Sequence, residues 1–200
     1  MDQLEFYNRL LFLQMNAAET TSAGLMGFAK FLAGGLIFFI PLLLAGLWLW
    51  GGDVRRQTAL KAAVVTALSL GVNGIIGCVW FHPRPEALQL GHTYIPHALN
   101  ASFPSDHATI FIAVGLALLS AQTRLFGIIV LVAGIGVGWA RIFLGIHFPL
   151  DMLGAVIVAG AVYGGVSFFW GRCGERIATP LVSVYRIVLA PLIARGWIRR

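Results

Sequence analysis

The chain has 200 residues, 58% hydrophobic and only 11% charged, with a formal net charge of +6 and a mean hydropathy of +0.85. A soluble domain usually carries about 25% charged residues, so this composition excludes an ordinary water-soluble globular protein. The basic excess contains no basic runs interleaved with aromatics, which argues against nucleic acid as a partner; it fits arginines that orient membrane loops and touch anionic lipid headgroups.

In chain order, residues 3–18 place Leu4, Leu11 and Met15 at helical spacing among polar positions, which predicts an amphipathic helix at the membrane interface. The start, Met1-Asp2-Gln3 with Glu5 close behind, lacks a basic region and a small-residue cleavage site, so no cleaved signal peptide is expected. A first span is predicted over about 22–50, with Pro41 as a kink and Trp48 and Trp50 as interfacial anchors. Further spans follow over about 58–81, 105–121, 125–144 and 149–170. Residues 82–104 form the longest polar connection, and "GRCGER" reads as a loop after the fifth span. In the tail 177–200, Arg186 sits in the middle of an apolar run. A charge at the bilayer centre costs several kcal/mol, so a surface-lying or shallow helix is preferred there to a sixth span. Cys78 and Cys173 show no metal or redox spacing, and no disulfide is expected. The fold class is therefore all-α: a polytopic membrane helical bundle of five transmembrane helices, the tail being an open sixth, plus the amphipathic helix, in one domain over 1–200.

Basic residues near the span ends set the orientation. Arg55, Arg56, Lys61, Arg124, Arg172 and Arg176 fall on one side, and Arg9, Lys30, Arg84 and Arg141 on the other. The richer side is expected to be cytoplasmic. His82, His92, His97, His107 and His147 then all map to the outer side.

Three clusters on that side carry chemistry. In "FHPRPE", Arg84 stands between two prolines that hold the backbone extended, which suits a rigidly presented oxyanion contact. In "PSDH", Ser105 is a natural N-cap, the free amides after it form an anion site, and His107 lies in the first helical turn. In "ARIFLGIHFPLD", His147 and Asp151 are four apart, so a helix would put both on one face. A carboxylate on one ring nitrogen strengthens the other as nucleophile or base. Arg141, six residues before His147, can share that site. Two arginines, a helix start, a carboxylate-backed histidine and a second histidine fit phosphoryl transfer through a phosphohistidine. No carboxylate cluster points to a divalent metal, so neither metal nor cofactor is expected.

These clusters, within 84–151, resemble the three signature motifs of the type 2 phosphatidic acid phosphatase superfamily: Arg84-Pro85, then "PSDH" with Asp106 where glycine is commoner, then Arg141, His147 and Asp151 at matching spacing. The resemblance implies that His147 is the nucleophile, Asp151 its orienting carboxylate and His107 the general acid. Arg84, Ser105 and Arg141 would bind the phosphate. One departure stands out: the family's lysine seven residues before the arginine is Gly77 here, and His82, His92 or His97 are the candidates to replace it. The run "WFHPRPEALQLGHTYIPHALNASFPSDHAT" is also similar to small bacterial undecaprenyl-diphosphate phosphatases of the bacitracin-resistance type. That similarity implies an isoprenoid diphosphate lipid substrate among membrane lipids, cleaved on the periplasmic face of the bacterial inner membrane to recycle the cell-wall carrier. Two alternatives stand beside it: a phosphatidylglycerophosphate, phosphatidate or lipid A phosphatase of the same superfamily, and a lipid carrier or flippase with no catalysis.

Overall fold

A computed structural model describes residues 3–98, 100–120 and 122–200. Every regular element in them is helical. The amphipathic α1 spans Gln3–Met15, and the next helical stretch runs from Ala23 to Trp50 in pieces: α2 (Ala23–Lys30), a π turn (Phe31–Gly35), a 3-10 turn (Leu36–Phe38) and α3 (Phe39–Trp50). Then come α4 (Asp53–Val79), α5 (Asp106–Leu118), α6 (Arg124–Phe143), α7 (Pro149–Val188) and the short α8 (Ala190–Ala194).

Among the described residues, four stretches are long and apolar enough to cross a membrane: Ala23–Trp50, Asp53–Val79, Arg124–Phe143 and Pro149–Val188. The remaining expected span, the third in chain order, is α5, which is shorter at 13 residues and mostly buried by protein. Its Phe111, Val114, Ala117 and Leu118 form one core with Ile40 and Leu47 of α3, Ala59 and Ala62 of α4, and Val130 and Val137 of α6. The outer faces carry exposed apolar residues such as Ile75, Ile135 and Ile157, as a lipid-facing surface requires. Together these elements make a multi-pass membrane protein.

Two departures from the expected elements have local causes. The irregularity of the first span begins before Pro41. Proline removes the amide that would bond the carbonyl of Ile37 and crowds it, and the chain answers with the 3-10 turn over 36–38, preceded by the π turn. At the other end, no loop forms at "GRCGER". The helix α7 continues through it for 40 residues, about 60 Å at roughly 1.5 Å per residue. That is twice the hydrocarbon thickness of about 30 Å, so its last turns stand outside the apolar slab. Arg186 there pairs with Asp53 at 3.0 Å, which removes the penalty foreseen for a mid-span charge.

The chain end folds back on the same region. The fully buried Arg56 donates to the carbonyls of Trp48 (2.9 Å) and Arg199 (2.6 Å) and lies over the Tyr185 ring. One end of the bundle thus gathers Asp53, Arg56, Arg186 and Arg199. The other end, beyond the C-terminus of α4, gathers the histidines.

The helices α5 and α6 approach each other closely. A Cβ placed on Gly127 would stand 2.8 Å from the backbone of Leu118 and 2.9 Å from the carbonyl oxygen of Gly115. Backbone cannot yield there as a side chain would, and small residues are what allow helices to approach this closely in lipid. Gly127→Ala is therefore expected to lower stability by about 1–3 kcal/mol. Gly164→Ala, with open space around it in the interior of α7, should leave stability unchanged or raise it by up to about 1 kcal/mol, the gain in helix propensity. Thermal unfolding in detergent, comparing the two, checks this.

Candidate active site

The site is assembled where the turn after α6 meets the start of α7. Gly145 ends that turn with φ +81°, and a Cβ there would collide with the carbonyl oxygen of His92, so only glycine fits. The segment 92–94 packs on the turn, Tyr94 N donating to Leu144 O at 3.0 Å. His147 follows, buried, and Pro149 occupies the first helical position of α7, where its missing amide costs nothing.

Asp151 is the third residue of α7 and is fully buried. Its Oδ2 accepts from the amide of Phe148 (2.8 Å), from His147 Nδ1 (3.0 Å) and from the Ser102 hydroxyl. The first of these caps the helix's own start. Because a carboxylate takes the Nδ1 proton, the lone pair of His147 lies on Nε2. That nitrogen faces Nη1 of Arg84 at 3.2 Å. Burial pushes the His147 pKa down to about 4 against the opposing pull of Asp151, so the ring is neutral at pH 7.

Arg84 is buried and fixed on all sides. Its Nε and Nη2 bond the side-chain oxygen of Asn100 at 3.0 and 2.9 Å, and further bonds reach the carbonyls of Ile146 (3.1 Å) and Ala101 (3.2 Å). Arg141 projects from the last turn of α6. Its Nη1 donates to the carbonyl of Ala33 at 3.0 Å, inside the π turn. The Nη2 atom stands 3.3 Å from His97 Nε2, while Nε is buried without a partner. The ring of His97 is 6.4 Å from that of His147, and burial and then Arg84 hold its pKa below the ordinary histidine value.

Ser105 occupies the N-cap of α5, as expected, but its side chain makes no capping bond: the hydroxyl oxygen is buried and unpartnered. The Ser105 amide donates to Asp151 O at 3.2 Å, which ties the start of α5 to the start of α7. His107, half-buried on the first turn of α5, lies within electrostatic range of Arg141, His147, His97 and Arg84. Its neighbour Asp106 accepts from Asn73 of α4 at 2.9 Å, and that amide also reaches Thr109 at 3.0 Å.

The six residues singled out in the sequence, Arg84, Ser105, His107, Arg141, His147 and Asp151, thus meet in one place. Two orphaned buried groups among them, the Ser105 hydroxyl and Arg141 Nε, have hydrogen-bonding capacity that no atom of the described residues uses. With Arg84, they make a cradle of donors suited to an oxyanion beside a neutral imidazole. Among the described residues, no group of three His, Cys, Asp or Glu is placed to hold a metal ion. Of the three histidines considered for the role left open at Gly77, only His97 reaches the arginines. His92 lies 3.6 Å from Glu19, and His82 faces the other oxygen of Asp151. Sequence reasoning passed over Ser102, Asn100 and the Ala33 carbonyl. Ser102 stands two residues before the "PSDH" motif; the other two carry no sequence signal, since they matter only through what folds against them.

The PAP2 superfamily family model matches residues 58–174. YbjG of Escherichia coli (strain K12), provisionally named an undecaprenyl-diphosphatase, is 35% identical over 196 residues, covering 98% of this chain and 99% of its own. Undecaprenyl-diphosphatase BcrC of Bacillus subtilis (strain 168) is 34% identical over 151 residues, covering 76% of this chain and 77% of its own. In fold, the chain is similar to the crystal structure of Aquifex aeolicus LpxE, with TM-score 0.65 at 21% identity over 78% of this chain and 92% of that one. It is similar too to a PAP2-type phosphatidylglycerolphosphate phosphatase from Bacillus subtilis, with TM-score 0.63 at 18% identity over 84% and 87%. This chain belongs to the PAP2 superfamily and is a membrane lipid phosphatase.

Arg84→Ala is expected to weaken orthophosphate binding about 10- to 100-fold, the equivalent of one charge-assisted hydrogen bond. Isothermal titration calorimetry on detergent-solubilised protein reads this directly, and unchanged affinity would put the anion elsewhere.

Proposed function

We propose that this member of the PAP2 superfamily is an undecaprenyl-diphosphatase. It removes the terminal phosphate of a polyprenyl diphosphate through a phosphohistidine, on the periplasmic face of the bacterial inner membrane, and returns the carrier lipid to cell-wall synthesis. The observation that carries this reading is a buried imidazole whose Nδ1 is held by a buried carboxylate while its Nε2 faces an arginine.

The chemistry follows from those positions. The terminal phosphate enters between His147 and the cradle of Arg84, Arg141, the Ser105 hydroxyl and the first amides of α5. Nε2 of His147 attacks phosphorus in line. The bond to the bridging oxygen breaks, and His107 gives its proton to the departing lipid phosphate. Asp151 stabilises the cation that forms on the His147 ring. Water then attacks the phosphohistidine, His107 takes its proton, and orthophosphate leaves. His97, beside Arg141, supplies the phosphate contact that the family's lysine makes and that Gly77 does not. The arginines offset charge as it develops, so the step draws on no metal.

The substrate class rests on two supports beyond the relatives' names. An apolar groove of about 720 Å³ begins at Ala108, next to His107, and runs along α5, α6 and α7 past Ile112, Leu116, Ile135, Val156 and Gly160. Such a groove suits a long hydrocarbon tail whose headgroup stops at the site. For the face, support comes from the basic residues Arg55, Arg56, Lys61, Arg124, Arg172 and Arg176, which map to the opposite side of the spans, the richer side being the one expected in the cytoplasm.

Phosphate release by purified protein tests the substrate, comparing undecaprenyl diphosphate with phosphatidylglycerophosphate and phosphatidate. Preference for the isoprenoid diphosphate is expected; preference for a glycerolipid would retain the mechanism and replace the substrate. His147→Ala should abolish turnover with insertion intact. Asp151→Asn should reduce kcat roughly 10²- to 10⁴-fold, since the ring is held but in the wrong tautomer. For His107→Ala the loss should grow as the leaving group becomes a poorer one. A loss equal for every leaving group would remove His107 from the acid role.

A further inference from the structure

The bonds described for Asp151 all fall on one oxygen. Oδ2 receives Phe148 N, His147 Nδ1 and the Ser102 hydroxyl, whereas Oδ1 is buried with no hydrogen-bond partner. His82 Nδ1 lies 3.9 Å from Oδ1 and is itself buried and unpartnered. A donor and an acceptor, both orphaned and facing each other across that gap, are one small side-chain movement short of a hydrogen bond.

The surroundings of His82 leave it little other freedom. Its ring packs against those of Trp80 and Phe148, with centroids 5.7 and 5.6 Å away. Its Nε2 faces Glu5 Oε2 of α1 at 3.5 Å. Glu5 is in turn held by Arg9 Nε at 2.8 Å and by the Asn8 amide at 3.2 Å. Burial works to raise the Glu5 pKa, but Arg9, Asn8 and the charge of His82 outweigh it and hold this carboxyl below its ordinary range. The buried Asn8 also accepts from the amide of Leu150, in the first turn of α7, at 3.0 Å. The interfacial helix therefore grips the helix start that carries Asp151, and it braces the histidine on that residue's free side.

We propose that His82, fixed by Glu5 of α1, is a positioning residue that donates to Oδ1 of Asp151 and so sets the plane in which Oδ2 holds His147. Both neighbours of the ring are carboxylate oxygens, so the nitrogen that faces Asp151 has an acceptor to donate to. The carboxylate is then held from both edges, and His147 Nε2 keeps its aim at phosphorus. This role rests on the reading of His147 as nucleophile. It makes α1 part of the catalytic apparatus rather than only a membrane anchor.

The test is steady-state hydrolysis of undecaprenyl diphosphate by H82F, H82N and H82Q beside wild type. H82F keeps a ring between Trp80 and Phe148 and removes both nitrogens. H82N returns an amide donor near Nδ1, toward Asp151; H82Q returns one near Nε2, toward Glu5. For H82F, kcat is expected to fall about 10- to 100-fold, the usual size for an outer partner of a histidine site, with KM changed less than about twofold. H82N should recover most of kcat, and H82Q should not. An H82F with wild-type kcat, or a rise in KM alone, overturns the role. If H82F does not fold, equal kcat in H82N and H82Q overturns it instead. A wild type silent on undecaprenyl diphosphate, phosphatidylglycerophosphate and phosphatidate alike would remove the proposed histidine mechanism and this role together, whereas an active wild type with equally active variants removes only the role of His82.

Discussion

A carboxylate buried away from water must be surrounded by donors, and this requirement at Asp151 organises the functional end of the protein. An uncompensated charge there would cost several kcal/mol. The donors it collects come from separate parts of the chain: the amide of Phe148 at the start of its own helix, the ring of His147 in the preceding turn, and the hydroxyl of Ser102 from the 80–104 connection. Its backbone carbonyl adds a fourth tie, to Ser105 at the start of α5. One residue therefore sets the relative positions of α5, α7 and the long connection, and the geometry of His147 follows from that setting.

The arginines are placed by the opposite logic. A buried guanidinium must find acceptors, and carbonyls freed from regular structure provide them. Arg84 takes the carbonyls of Ala101 and Ile146, both outside helices, together with the Asn100 side chain. Arg141 takes Ala33, whose helix is interrupted by a π turn. Irregular backbone at membrane depth is tolerated only where protein satisfies it, and here the satisfying group is one proposed to bind phosphate. The break in the first span and the anion cradle are thus two sides of one arrangement. The far end of the bundle repeats the device without chemistry, with Arg56 holding Trp48 O and Arg199 O.

The all-helical class and the approximate place of most helices were legible in the sequence, because lipid admits few alternatives to apolar helices of bilayer length. The motif residues were legible because a charged or titratable group in so apolar a chain has few structural reasons to be there. The limits of α7 were not. "GRCGER" is polar enough to read as a loop, but a helix leaving the bilayer meets water and can carry such residues without breaking, and Asp53 waits there for Arg186.

By itself, then, the sequence determined an all-helical membrane chain with Arg84, Ser105, His107, Arg141, His147 and Asp151 as the candidates for phosphoryl chemistry. Local spacing suffices for that: His147 and Asp151 lie one helical turn apart, and Ser105 and His107 bracket a helix start. Only the tertiary structure decided which histidine stands beside Arg141, that Asn100 and Ser102 hold the key groups in place, and that α1 reaches Asp151 through Glu5 and His82. Those contacts join residues as distant as 5 and 82 or 33 and 141. No periodicity encodes them, because they exist only once the helices have packed.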